Sequence, residues 1–179
     1  MRIKNNGLII FMFFMLLNNI YGQENDAKSE FTGTTITKSF GSFSIPDDWV
    51  EIPRYSRNGK YFYSHKSEQV SSNMTNISVE IGINPYKLDD HMIFRYAILR
   101  QLLMQARGME VGGSGTFTKN EDPLYIFTIE DKVNNVTTIQ YYIIGEKKHI
   151  LIHVTDFHNK NITNVKEVAQ FITDSFIWN

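Results

Sequence analysis

The chain contains no cysteine. Disulfide staples are therefore excluded, and so is a lipid anchor attached through an N-terminal Cys. Long hydrophobic runs are also missing. The longest is Gly7 to Leu17, short of the roughly 20 apolar residues that a transmembrane helix needs. Basic residues are not concentrated anywhere, which removes the electrostatic footprint of a nucleic-acid binder. Catalytic signatures are lacking too. There is no nucleophile elbow, no Cys–His set, and no Gly-Lys-Ser/Thr ending to a glycine-rich loop.

What is present begins with aromatics. The 179 residues include 13 Phe, 9 Tyr and 2 Trp, enough for a substantial core in one domain. Eighteen Lys and Arg stand against 19 Asp and Glu. Arg2 and Lys4 precede the Gly7–Leu17 run, and the small residue Gly22 follows it. That order reads as a secretory signal peptide over residues 1–22, cleaved near Gly22, with a retained anchor as the alternative. Cleavage leaves a mature chain of formal charge −3, from 16 basic and 19 acidic residues. Residues 23–33 read as a flexible lead-in, and 34–179 as the folded domain.

The domain opens with a β-branched strand, Thr34 to Phe40, and a short strand, Phe43-Ser44-Ile45. Pro46 should end the pairing, Asp47 and Asp48 suit a turn, and Trp49 then folds back as an anchor. Tyr61–His65 reads as a strand after the turn at Asn58-Gly59. Asn76–Ile83 alternates cleanly, with Ile77, Val79, Ile81 and Ile83 on one face. A helix is expected from His91 to Arg107, capped by Asp89 and ended by Gly108. Met92, Tyr96, Leu99 and Leu103 form its apolar stripe. Ile93, Phe94, Ala97, Ile98 and Leu102 widen the arc, so the helix is either buried on two sides or carries an exposed contact face.

A meander follows, over Leu124–Glu130, Thr137–Ile144 and His149–Thr155, with turns at Asn134-Asn135 and Gly145–Lys148. Asn164-x-x-Glu167 opens a closing helix whose buried face is Val165, Val168, Ala169, Ile172 and Phe176. The fold class is therefore α+β, a mainly antiparallel β-sheet of about six to seven strands packed with a long central helix and a C-terminal helix.

The Phe43-Ser44-Ile45-Pro46-Asp47-Asp48-Trp49 corner, the aromatic strand after it and the mid-chain helix form a recognisable set. With the Pro123-Leu124-Tyr125 entry to the meander and the Phe176-Ile177-Trp178 end, they resemble the PsbP-like fold group, including the bacterial DcrB-like proteins. The resemblance spans roughly residues 36–178. It implies a non-catalytic binder or assembly factor, with some exported relatives tied to type VI secretion loci, and it transfers no catalytic residue.

Individual candidates read as structural. His149 and His153 have H-x-x-x-H spacing, but four strand residues span about 13 Å, too far for one zinc ion. They are expected to face outward. Gly112-Gly113-Ser114-Gly115 reads as a flexible hairpin or loop. Asp47-Asp48 and Asp89-Asp90 suit a turn and a helix start. Asn73, Asn76, Asn135 and Asn161 match Asn-x-Ser/Thr, as chance allows in an Asn-rich chain.

The catalytic, cofactor and metal sets are all expected to be empty. The expected partner is a protein, with no nucleic acid and no lipid anchor. Candidate surfaces are the polar loop Glu68–Asn76, the glycine-rich segment, the turn Asp131–Val136 and the polar face of the long helix. The functional expectation is an exported protein-binding domain, an immunity protein against a type VI toxin. An envelope assembly factor is the alternative, and a hydrolase comes third.

Overall fold

Strict alternation along the central strands gives the sheet two different faces, and each face takes its own helix. The computed structural model of the chain describes residues 31–68, 73–158, 162 and 164–179. The expected signal peptide and most of the lead-in lie outside the described residues.

Among the described residues ten strands form two antiparallel sheets. The larger runs β3 (Trp49–Glu51), β4 (Lys60–His65), β5 (Asn76–Ile83), β9 (Lys148–Asp156), β8 (Val136–Ile144), β7 (Pro123–Asp131) and β6 (Glu110–Phe117). The smaller pairs β1 (Gly33–Lys38), β2 (Gly41–Pro46) and β10 (Ile177–Trp178). The helices are α1 (His91–Gln105) and α2 (Val165–Ser175). The α+β class holds, and seven strands in the main sheet match the expected number. The separate three-stranded sheet does not appear in the sequence reading.

On the closed face, Ile77, Val79, Tyr141, Ile143, Ile150, Ile152 and Val154 meet α2 and the small sheet. Val165, Val168, Ala169 and Ile172 of α2 are buried there, with Phe176 just beyond its end. Phe43, Ile45 and Trp49 complete this core, and Ser175 Oγ accepts the Ser44 amide at 2.9 Å. The Tyr141 hydroxyl is buried without a partner among the described residues, and burial pushes its pKa up to about 12.

The Phe43–Trp49 corner behaves as expected at its Trp and at its proline. Trp49 is 5% exposed and begins β3 opposite His65. Pairing ends at Pro46, the last residue of β2, which lies opposite Gly33 and is closed off by the Asp47 N–H donating to Thr32 O at 3.2 Å. Proline sits here where its missing donor is tolerated, since β10 reaches only Gly41 and Ser42 and Pro46 has β1 as its one neighbour.

Other expectations need correction. Ile83 is 79% exposed although Ile77 and Val79 are buried, because the covering layer ends before the end of β5. Ile177-Trp178 is not part of a helix end. It is a two-residue strand against Gly41 and Ser42. The start of α1 is a 3₁₀ turn, Leu88–Asp90, which puts Asp90 rather than Asp89 at the cap, with no side-chain capping bond.

Candidate functional site

The open face of the large sheet is roofed by α1 over part of its width only. Phe94 seats the helix. Its ring lies 5.8 Å from Tyr142, 4.9 Å from His149 and 6.5 Å from Tyr86. Leu102 is buried beside the same cluster, with Phe127 and Ile144, and Ile98 and Leu99 are half-buried against it. Phe94, Ile98 and Leu102 are spaced by four, so the buried line is one step round the wheel from the stripe expected in the sequence.

That expected stripe points mostly the other way. Met92 is 41% exposed, Tyr96 63% and Leu103 57%; on the adjoining flank Ile93 is 49% and Met104 63% exposed. Of the two options the sequence left open, burial on two sides fails and part of the arc is exposed. From His91 to Met109 there is no acidic residue, while Arg95, Arg100 and Arg107 are all basic. The Arg95 guanidinium lies 5.6 Å from the centre of the Tyr125 ring, and its Nε is buried without an acceptor among the described residues. His91 Nδ1 is hydrogen-bonded to the Tyr125 hydroxyl, and that oxygen is 3.2 Å from Met92 Sδ.

Beside α1 runs the sheet edge. The glycine-rich segment is not a flexible loop but the middle of β6, in continuous register with β7 from Glu110↔Glu130 to Phe117↔Pro123. Gly113 and Gly115 stand opposite Phe127 and Tyr125, whose rings occupy the space of the missing side chains. A Cβ would come within 3.0 Å of Phe127 and 2.9 Å of Tyr125. The glycines are thus strand residues overlain by cross-strand aromatics. From Gly112 to Phe117 every residue is exposed.

The remaining sequence candidates separate. His149 and His153 share the open face of β9 but do not face outward freely. His149 packs on Phe94 and Tyr142, and its Nδ1 lies 3.2 Å from Ile83 O. The Gln140 amide is 3.4 Å from His153 Nδ1, and the Tyr142 hydroxyl donates to Gln140 Oε1 at 3.0 Å. Burial lowers both histidine pKa values, with the Lys60 charge adding to the effect at His153. Asp47 accepts from Thr34 Oγ1 at 3.2 Å while Asp48 lies 3.2 Å from His65 Nε2, so the pair does not converge. Asp89 and Asp90 are exposed in the 3₁₀ turn. Among the described residues no group of three His, Asp or Glu converges in a way that could hold a metal ion.

Of the candidate surfaces, the turn at Asp131 is closed on itself, with that carboxylate accepting from Val133 N, Asn134 N and Asn134 Nδ2. The loop Glu68–Asn76 lies partly outside the described residues. At its ends Glu68 is buried, accepting the Thr75 amide at 2.9 Å, and Asn76 Nδ2 donates to Met74 O. An open cleft of about 450 Å³ lies on the open face at β4, lined by Tyr55, Arg57, Lys60, Phe62, Met74 and Glu80. Lys60 and Glu80 there are 3.6 Å apart. Among the described residues no helix is long and apolar enough to cross a membrane.

The sequence matches no family model and no curated protein. Solved structures do share its architecture. LpqN of Mycobacterium tuberculosis, described as involved in cell envelope biogenesis, superposes with a TM-score of 0.59 at 13% identity, covering 84% of this chain and 92% of its own. The cyanobacterial PsbP of Synechocystis, CyanoP, gives 0.54 at 14% identity, covering 89% and 99%. The fold is that of the PsbP-like proteins. A Bacteroides thetaiotaomicron structure gives 0.50 at 11% identity, covering 82% of this chain and 48% of its own. At these identities the PsbP-like likeness concerns the backbone, while α1 and β6 are read from this chain's own side chains.

Proposed function

We propose that this chain is an exported, non-enzymatic binding domain whose protein partner docks on the outward side of α1. The observation that carries the reading is the apolar face of Met92, Ile93, Tyr96, Leu103 and Met104 in solvent, with arginines and no acids among them. A contiguous apolar patch of this kind marks an interaction surface, and Met and Arg are enriched in such surfaces. The charge calls for an acidic partner. The scattered carboxylates and packed histidines support a non-catalytic role.

In its concrete form the domain is an immunity protein that occludes a toxin delivered by type VI secretion, as the DcrB-like resemblance implies. The test is to mix the purified domain with the secreted toxin encoded beside it. Neutralisation that Tyr96→Asp abolishes is expected; a toxin left fully active by the wild-type domain contradicts the immunity role. A second reading, an envelope assembly factor, is favoured by the structural likeness to LpqN, described as involved in cell envelope biogenesis. Mild detergent extraction that recovers the domain within a large envelope complex would support that reading instead.

A further inference from the structure

Natural sheets protect their edges, because an unpaired row of N–H and C=O groups is a template for another strand. At one edge of the large sheet this is done. β3 has three residues and runs straight into the Pro53–Tyr55 turn. At the other edge it is not. β6 has eight residues with no proline, no lysine and no break in its register with β7, and its one charge is Glu110 at the start. Gly112, Gly113 and Gly115 leave only Val111, Ser114, Thr116 and Phe117 to carry side chains along the rest of the rim.

The helix lies along this edge. Phe94 leans toward β8 and β9 through Tyr142 and His149, whereas His91 and Arg95 lean toward β7 and β6 through Tyr125 and Phe117. By the 3.6-residue period, Met92, Leu99 and Leu103 continue that second side along the helix. Phe117, 62% exposed, closes one end of the shelf. A bare strand edge beneath an apolar helical shelf has the geometry by which sheets capture an extended peptide. Main-chain hydrogen bonds supply affinity there, and alternate side chains supply specificity.

We infer that the partner contributes an extended segment that adds to β6 as an eighth strand, whose alternate side chains face the α1 shelf, apolar ones on Met92, Leu99 and Leu103 and an acidic one beside Arg95. A second copy of this chain is disfavoured as occupant, since pairing β6 with itself sets two arginine-only helices side by side, and like charges oppose association. The inference deepens the protein-binding reading and rests on it.

The probe is a synthetic decapeptide with threonine at every second position and valine and aspartate sharing the intervening ones, so that both face α1, titrated into the isotopically labelled domain and followed by NMR. Shifts are expected at the amides of Val111–Phe117 and the methyl groups of Met92, Leu99 and Leu103. Binding should weaken about tenfold or more when lysine replaces aspartate in the peptide, as like-charge contact imposes, and by a similar factor in Leu103→Asp. No shifts at millimolar peptide, or shifts confined to other surfaces, overturn the inference. So does sedimentation showing that the free domain is a dimer dispersed by Ser114→Pro. If Ser114→Pro keeps its circular dichroism and still neutralises the toxin as wild type does, strand addition is wrong while the protein-binding function survives.

Discussion

The two faces of the large sheet are roofed by helices of opposite character. α2 is amphipathic in the ordinary sense. Val165, Val168, Ala169 and Ile172 go inward, and Lys166, Glu167 and Gln170 go outward. α1 has apolar residues all round, so only part of its surface can be core, and Phe94 and Leu102 alone are fully buried within it. The closed face spends its apolar residues on stability. The open face leaves a comparable set in water, where it contributes little to the fold and is free for a partner.

The comparison is tested first where the effect is largest. Trp49 sits in the closed-face core, and Trp49→Ala should lower stability by about 3–5 kcal/mol, as measured by urea unfolding. A much smaller loss would mean that this core is less tightly packed than its burial implies. Tyr141→Phe removes a buried hydroxyl with no partner among the described residues, so it should be neutral or stabilising by about 1 kcal/mol. A clear loss would reveal a hydrogen bond that the hydroxyl makes.

On the open face the signature is pH. His149 and His153 are held below their ordinary value of 6.5, mainly by burial. The unfolded chain therefore binds more protons between the lowered value and about 6.5, and stability must fall as pH drops through that range. Above it, neither state carries the charge and the contribution disappears. Melts of His153→Gln between about pH 5 and 7.5 should show a shallower slope than wild type. An unchanged slope would place the sensitivity elsewhere.

How far these features can be read from the sequence depends on whether they are local. β5, β7, β8, β9 and α2 follow from period-2 and period-3.6 patterns within a few residues of their observed limits, because each pattern is set by one buried face. Three features were not legible. The side of α1 that faces the sheet is decided by Tyr142 and His149, far along the chain, and an all-round apolar helix carries no mark of it. The glycines of β6 look like a loop until Tyr125 and Phe127 lie opposite them. The strand pairing of Ile177-Trp178 is too short to leave a pattern. The candidate site combines the first two of these, so the sequence supplied its residues and the option of an exposed helix face, but not its geometry.

The decisive measurement is urea unfolding of Leu103→Asp, which puts a carboxylate on the outward side of α1. At an exposed position in the last turn of α1 only the weaker helix propensity of Asp and its charge near the helix C-terminus count, and a loss of about 1 kcal/mol or less is predicted for Leu103→Asp. A loss of several kcal/mol would show that the outward stripe belongs to the core, and the contrast between the two faces would fall with it.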